Sequence, residues 1–225
     1  MRLAIFGGTG TVGRVLLEAA LEAGHEVRVL VRDPDRVTAR QGHLIVVRGD
    51  ASRLSDVDPI VAGCDGVLST LGGFRGPESL SLGTAAVTTA MIHHGVRRLV
   101  VMQGFHLHMP GDPNNLGQRL IGPIMRLASR DIVTHSNRMA SDLRAADVDW
   151  TLIRAPRVIA GPVGTYRTGR LRMGPWSTVT DHGVADFMLA CLTDPATVGK
   201  APMIGTRRIR AARTVAMAPA TIDHL

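Results

Sequence analysis

Short apolar runs alternate with helix-patterned segments along most of the chain, and each run has the length and apolarity of a strand buried in a parallel sheet. The predicted strands are residues 3–6, 26–31, 44–48, 66–70, 99–103, 150–154 and 201–204. The predicted helices are residues 11–23, 59–62, 80–94, about 116–126, 132–146 and 181–192. This alternation predicts an α/β fold, a Rossmann-type doubly wound parallel sheet flanked by helices in a single domain.

Individual residues mark several helix ends. Gly24 and Gly95 each follow a helical pattern at the position where a left-handed residue ends a helix. Asp181 is a candidate N-cap for the last long helix. We expect the domain to cover residues 1–205, followed by a basic tail over residues 206–225.

Two longer segments interrupt the alternation. Residues 104–117 follow the fifth predicted strand, and residues 155–174 follow the sixth. Both should emerge at the carboxyl edge of the sheet, where open α/β folds bind their ligands. We therefore expect these segments to form a substrate pocket.

The turn after the first strand carries the clearest chemistry. Residues 7–13 read GGTGTVG, which puts Gly7, Gly10 and Gly13 between a strand and a helix. Residues without side chains let backbone N–H groups approach an anion closely, and the helix directs its positive end at a phosphate. At the start of an α/β domain this spacing indicates a dinucleotide site.

The second strand ends in VLVRD, where the adenosine ribose of a dinucleotide should lie. An acidic residue there, such as Asp33, would accept a hydrogen bond from a 2′-hydroxyl and favour NAD. Arg32, with Arg36 one turn later, can instead bind the 2′-phosphate of NADP. The two arginines favour NADP(H) over NAD(H), although a solvated pair on a basic protein is the alternative.

The next two strands add further candidates. Asp50 can cap the following turn or meet the adenine amino group, and Gly72 and Gly73 can either approach the cofactor or simply form a turn. The complete set of predicted cofactor contacts is Gly7, Thr9, Gly10, Thr11, Val12, Gly13, Arg32, Arg36, Asp50, Ala51, Leu71, Gly72, Gly73, Gln103 and Pro156.

Composition narrows the function classes. The net charge is +7 over 225 residues, but aromatic residues are only 3%, too few to stack on nucleic-acid bases, so we expect no nucleic-acid partner. No apolar run reaches the roughly 20 residues of a membrane span, and two cysteines do not make a disulfide framework. We therefore expect a cytoplasmic protein that binds no membrane and acts on a small molecule. We expect it to be a monomer or a homodimer.

The motifs GGTGTVG, VLVRDPDR, GDAS, STLGG and DFMLACL follow one another in the order seen in atypical short-chain dehydrogenase/reductases. Over about residues 1–205 the chain resembles the NAD(P)H-binding proteins similar to biliverdin-IXβ (flavin) reductase and the NmrA-like proteins. The resemblance implies a Rossmann-type domain that uses NADPH to reduce flavins, tetrapyrroles, quinones or related planar acceptors. It also implies that Arg32 and Arg36 hold the NADP phosphate.

The chain departs from the wider family at the reacting end. The common Tyr-x-x-x-Lys motif cannot form, because Tyr166 and Lys200 are the only tyrosine and lysine. The flavin-reductase-like group uses a serine after the fifth strand and a histidine after the sixth. Here those places hold Gln103 and Arg157.

Four residues are the candidates for catalysis: Gln103, His106, His135 and Arg157. Arg157 can stabilise developing negative charge but is a poor proton donor, and Gln103 can orient the nicotinamide or close a turn. A proton would come from His106, from His135, which precedes Ser136 on a helix, or from water. His106 and His108 have no third ligand at supportive spacing, so no metal site is predicted.

Three functions fit the pattern. The first is an NADPH-dependent oxidoreductase that reduces a planar or conjugated molecule such as a flavin, a quinone or a polyketide-like metabolite. The second is an NADP-binding isomerase, cyclase or dehydratase without net redox chemistry. The third is an NmrA-like NADP sensor without catalysis.

Overall fold

The computed structural model describes residues 1–39, 42–72, 78–109, 112, 130–174 and 176–206. The strands are β1 (Arg2–Phe6), β2 (Glu26–Val31), β3 (Leu44–Arg48), β4 (Gly66–Ser69), β5 (Arg98–Gly104), β6 (Asp149–Ala155), β7 (Arg157–Ile159), β8 (Tyr166–Gly169), β9 (Thr178–Thr180) and β10 (Met203–Thr206). Eight of them form one sheet in the order β3-β2-β1-β4-β5-β6-β10-β8. Every pairing in it is parallel except that of β8 with β10. The predicted Rossmann-type parallel sheet is confirmed.

The helices are α1 (Thr11–Glu22), α2 (Leu54–Val61), α3 (Glu78–His93), α4 (Arg130–Ala145) and α5 (Asp181–Thr193). Two short 3-10 helices, Pro34–Arg36 and Pro195–Thr197, lie in connections. The predicted helix at 116–126 and the tail after Thr206 fall outside the described residues.

Alternating strand residues build a core on each face of the sheet. Leu3 and Ile5 of β1 pack with α1 and α5 in one cluster. Ala4 and Phe6 pack with α2, α3 and α4 in the other. This period-two division is what a strand buried on both faces requires, and it holds the carboxyl ends of β1, β2, β4, β5 and β6 along one edge.

Helix ends confirm some predictions and correct others. Gly24 and Gly95 have φ values of +78° and +69°, so each takes the left-handed conformation predicted after a helix. The Asp181 prediction was wrong, since Thr180 is the N-cap and its side chain accepts a hydrogen bond from the Gly183 N–H. Asp181 is the first helical residue, and its carboxylate accepts from the Gly161 N–H at 3.0 Å.

The helix predicted at 59–62 also needed correction. It runs over Leu54–Val61 and contains Pro59 in its interior. Its buried residues Val57, Ile60 and Val61 have helical spacing, so apolar contact with the sheet outweighs the lost N–H of the proline. In the described part of the chain, no helix is long and apolar enough to cross a membrane.

The segment 155–174 was predicted as an irregular loop and contains two strands. β7 pairs with β9 in a separate two-stranded sheet, and β8 adds antiparallel to β10 at the edge of the main sheet. These strands carry the chain across the carboxyl edge beyond β6.

Candidate functional site

The turn that follows β1 is held so closely against its neighbours that it requires glycine. Gly7 has φ +83°, and a Cβ built there would lie 2.7 Å from Thr70 Oγ1. A Cβ on Gly13 would lie 2.0 Å from the Gly7 carbonyl oxygen. The Thr70 N–H donates to the Phe6 carbonyl at 2.9 Å, which fixes the end of β4 beside the turn.

The amino end of α1 is left open to an anion. Its N-cap is Gly10, which has no side chain to cap the helix, and the first turn contains no acidic residue. The first-turn N–H groups therefore lack an anionic neighbour of their own, and the helix dipole adds positive potential. Close backbone approach and open N–H groups are what a phosphate at this position needs.

A cleft of about 380 Å³ opens above this turn. It joins the carboxyl ends of β1, β2, β3 and β4, and its size lies in the range of small-molecule sites. Of the predicted cofactor contacts, nine line it: Gly7, Thr9, Gly10, Arg32, Arg36, Asp50, Ala51, Leu71 and Gly72. Thr11, Val12 and Gly13 belong to the first turn of α1, and Gly73 lies outside the described residues.

The end of the cleft beside β2 contains two exposed arginines. Arg32 and Arg36 both line it, and neither forms an ion pair within the part of the chain that the structure describes. Asp33, the residue that would favour a free 2′-hydroxyl, is used elsewhere. It is the N-cap of the Pro34–Arg36 helix, where its side chain accepts from the Asp35 N–H at 3.3 Å.

Asp50 holds the turn before α2 and also lines the cleft. Its carboxylate accepts from the Ser52 N–H at 2.9 Å and from the Ser52 hydroxyl at 2.8 Å. These hydrogen bonds, followed by the nearby Arg32 and Arg53, hold the pKa of Asp50 below its ordinary value. The capping role predicted for Asp50 is therefore present, and its place in the cleft leaves a ligand contact open.

Gln103 and His106 converge on a buried serine of α4. The Gln103 side-chain amide donates to Ser136 Oγ at 3.3 Å, and His106 Nε2 lies 3.3 Å from the same oxygen. Burial lowers the pKa of His106, so the imidazole is neutral at pH 7. We name this cluster the amide–serine–histidine group. It lies at the carboxyl end of β5, two strands from β1 in the sheet.

The sequence predicts that Ser136 lies on a helix but gives it no role, because residues 103 and 136 are far apart in the chain and no motif connects them. The other candidates do not join the group. His135 points to α3, where its Nδ1 lies 2.7 Å from Ser81 Oγ. Arg157 is exposed at the start of β7, and Pro156 is buried beside it.

A buried ion pair fixes the segment after β5. Arg154 of β6 and Asp112 have side chains that are each 1% exposed, and Arg154 Nη2 donates to Asp112 Oδ1 at 2.7 Å. Arg154 also donates to the Leu107 carbonyl at 2.9 Å. Burial alone would raise the pKa of Asp112, but the hydrogen bonds from Arg154 and the Met109 N–H outweigh it and lower that pKa. No local pattern indicates this pair, since the whole of α4 lies between its partners in the sequence.

The only tyrosine and the only lysine, Tyr166 and Lys200, have separate environments. The Tyr166 hydroxyl donates to Asp186 of α5, and burial together with this carboxylate raises the pKa of the phenol. Lys200 forms an isolated bridge with Thr151 near the start of β6. Tyr166 pairs with Thr206 at the carboxyl end of β10, whereas Lys200 lies towards the opposite edge of the sheet, so the two side chains cannot act together in proton relay.

A second cavity, of about 370 Å³, lies beyond β6. Arg167, Arg172 and Trp176 line it, together with Thr178, which pairs with Arg157 across β7 and β9. Trp176 is 82% exposed. We call this space the tryptophan cavity. It combines a flat aromatic surface with cationic side chains.

Comparison with known proteins was consistent with the geometry of the cleft. Residues 7–195 match a family model described as NAD(P)H-binding. The chain is also similar to the (4-alkanoyl-5-oxo-2,5-dihydrofuran-3-yl)methyl phosphate reductase of Streptomyces griseus, with 26% identity over 207 residues that cover 88% of this chain. It spans 65% of the length of that reductase.

Two solved structures share the fold. The oxidoreductase ylbE from Lactococcus lactis superposes with a TM-score of 0.77 at 16% identity, covering 92% of this chain and 91% of that one. ChuY, an anaerobillin reductase from Escherichia coli, gives a TM-score of 0.75 at 21% identity, covering 94% of this chain and 100% of that one.

Proposed function

Because this chain belongs to the NAD(P)H-binding family, we propose that it is an NADPH-dependent reductase of a planar or conjugated small molecule. The preference for NADPH over NADH is argued from the end of the cleft beside β2, where the adenosine ribose would lie. Two arginines line it without ion-pair partners among the described residues, while the Asp33 carboxylate caps a 3-10 helix.

The preference for the phosphorylated cofactor follows from charge. A 2′-phosphate facing Arg32 and Arg36 would form charge-assisted hydrogen bonds worth about 1.5–3 kcal/mol each. One such bond corresponds to roughly 10- to 150-fold in affinity. NAD(H), which has only a hydroxyl there, gains little from either guanidinium.

When bound, the cofactor supplies a hydride. The chain's own residues position the acceptor and manage its charge and proton. We assign this role to the amide–serine–histidine group, in which Ser136 accepts the amide hydrogen of Gln103 and presents its own hydroxyl to His106 Nε2. The neutral imidazole then has an Nδ1–H with which to donate a hydrogen bond to the acceptor and polarise it, and the proton itself would come from water.

The nature of the acceptor is inferred from what this edge contains. Without a tyrosine–lysine pair, the strongest acid of the wider family is missing, which favours acceptors that take a hydride into a conjugated system. The exposed ring of Trp176 and the nearby Arg167 and Arg172 suit a flat molecule with acidic groups. The similar Streptomyces protein is named as a reductase of an oxo-dihydrofuran phosphate, and ChuY as an anaerobillin reductase, in keeping with this inference.

The test is to mix the protein with NADPH and a panel of flavins, quinones, linear tetrapyrroles and phosphorylated butenolides, and follow the reduced nicotinamide absorbance. We expect one mole of NADPH oxidised per mole of product, and slower turnover with His106→Gln but not with the exposed control His43→Gln. Product formed without NADPH oxidation would replace the reductase with an isomerase or cyclase. Tight NADP binding with no turnover on any acceptor would replace it with a sensor.

A further inference from the structure

Three potential metal ligands meet where α2 contacts the end of α3. Asp58 lies on α2, His93 is the last residue of α3, and His94 follows it. His93 Nδ1 lies 2.8 Å from Asp58 Oδ1, and His94 Nε2 lies 3.0 Å from Asp58 Oδ2. One donor atom from each side chain lies within 4.8 Å of the others.

One of these donor atoms is enclosed by the protein. His94 Nε2 is buried from solvent and faces Asp58 Oδ2 at 3.0 Å, without meeting the alignment of a hydrogen bond. A buried imidazole nitrogen that faces a carboxylate oxygen is aimed at the position where the two could share one cation.

We propose that Asp58, His93 and His94 bind a divalent transition-metal ion, with Zn²⁺ as the best fit. Two imidazole nitrogens and one carboxylate oxygen are ligands that Zn²⁺ prefers, whereas Mg²⁺ and Ca²⁺ prefer oxygen alone. Zinc bonds of about 2.0–2.2 Å place two ligand atoms roughly 3–4 Å apart. Small side-chain rotations bring all three donors to one ion, and water completes the fourth position.

The position of the cluster indicates what the ion does. Helices that connect parallel strands run back across the sheet, so the carboxyl end of α3 lies at the edge opposite the cleft. The partial negative charge of that helix end favours a cation. The ion would join α2 to α3, two helices of the same face, and would stabilise the fold without contact with the dinucleotide or the acceptor.

The experiment uses the full chain, freed of metal by a chelator and titrated with ZnCl₂ by calorimetry, with MgCl₂ in a parallel titration. We expect one Zn²⁺ to bind, a rise in Tm, and no change in NADPH affinity. Bound Co²⁺ should show the visible absorption of a tetrahedral site. Mg²⁺ should neither bind measurably nor raise the Tm.

Variants assign the ligands. Asp58→Asn and His93→Gln should each weaken Zn²⁺ binding by at least about tenfold and remove the Co²⁺ spectrum. The exposed His43→Gln serves as the matched control and should behave as the wild type does. Absence of Zn²⁺ binding to the wild type, or binding of undiminished affinity in both ligand variants, would overturn the proposal.

Discussion

Gly13 allows α1 to begin directly against the backbone of the preceding turn. A methyl group there would lie 2.0 Å from the Gly7 carbonyl oxygen, an atom that cannot move without shifting the turn itself. We expect Gly13→Ala to destabilise the protein by about 1–3 kcal/mol and to abolish NADPH binding. Denaturant unfolding and calorimetry measure the two effects.

Gly164 provides the matched control, because a Cβ there would meet nothing within 4 Å. Gly164→Ala should leave both the free energy of unfolding and NADPH binding unchanged. If Gly13→Ala behaved like this control, the close approach at the turn would not matter for the site.

His106, a member of the amide–serine–histidine group, should make the stability of the protein depend on pH. Its folded pKa is lowered by burial, so below about pH 6.5 the unfolded chain takes up a proton that the folded chain resists. The free energy of unfolding should therefore fall as pH drops from about 6.5 towards the folded pKa. Urea denaturation across this range, from mildly acidic to neutral pH, measures this slope.

The variant His106→Gln keeps a side chain that can reach Ser136 but removes the titration. We expect it to flatten the slope in that window, while His43→Gln keeps the wild-type profile. Equal slopes in all three proteins would show that His106 is not held in its neutral form by the fold.

For individual residues, the sequence indicates which ones belong to the site better than it indicates which side chains they contact. Gly7 follows β1, and Arg32 and Arg36 follow β2, in two motifs that a dinucleotide-binding fold brings to one edge of the sheet, so their shared cleft could be predicted. Ser136 could not be selected, because its contacts with Gln103 and His106 arise only when α4 packs on the sheet.

At the scale of elements, the Arg154–Asp112 pair attaches the segment after β5 to β6. Arg154→Met should destabilise the protein by about 3–5 kcal/mol, since it leaves the Asp112 carboxylate buried without its partner. The exposed ion pairs of Arg97 with Asp147 and Asp149 are the comparison, and Arg97→Met should destabilise the protein far less than Arg154→Met does, because water screens these charges. Denaturant unfolding of both variants at neutral pH measures the difference.

The same pair should contribute to acid sensitivity. Because the folded pKa of Asp112 is lowered, its stabilisation is present above the unfolded pKa of about 3.9 and disappears as pH falls through the folded value. The difference between wild type and Arg154→Met should therefore shrink in acid. A difference that stayed constant down to strongly acidic pH would contradict a charged, buried Asp112.

Helices and strands could be predicted where their burial requires a regular pattern of apolar residues. The strands β1 to β6 were found to within one residue at either end, because each is an apolar run and all but the edge strand β3 are largely buried between the two helical layers. β8 was missed since its residues YRTG lie at an antiparallel edge and carry no apolar run. α2 was shortened because Pro59 reads as a helix start, although the apolar spacing from Val57 to Val61 continues through it.

At the scale of the whole molecule, the carboxyl edge of the sheet carries three features in strand order. The cleft lies above β1 to β4, the amide–serine–histidine group lies at the carboxyl end of β5, and the tryptophan cavity lies beyond β6. A cofactor bound in the cleft and an acceptor held towards the tryptophan cavity would meet near the middle group. This order is what the proposed reductase requires.

Calorimetric titration with NADPH and NADH tests the proposed cofactor most directly, using the wild type, Arg32→Ala, Arg36→Ala and the remote surface control Arg138→Ala. We expect the wild type and the control to prefer NADPH, and each cleft variant to lose about tenfold or more in NADPH affinity with little change for NADH. Absence of heat with both dinucleotides, or NADPH affinity unchanged in both cleft variants, would contradict it.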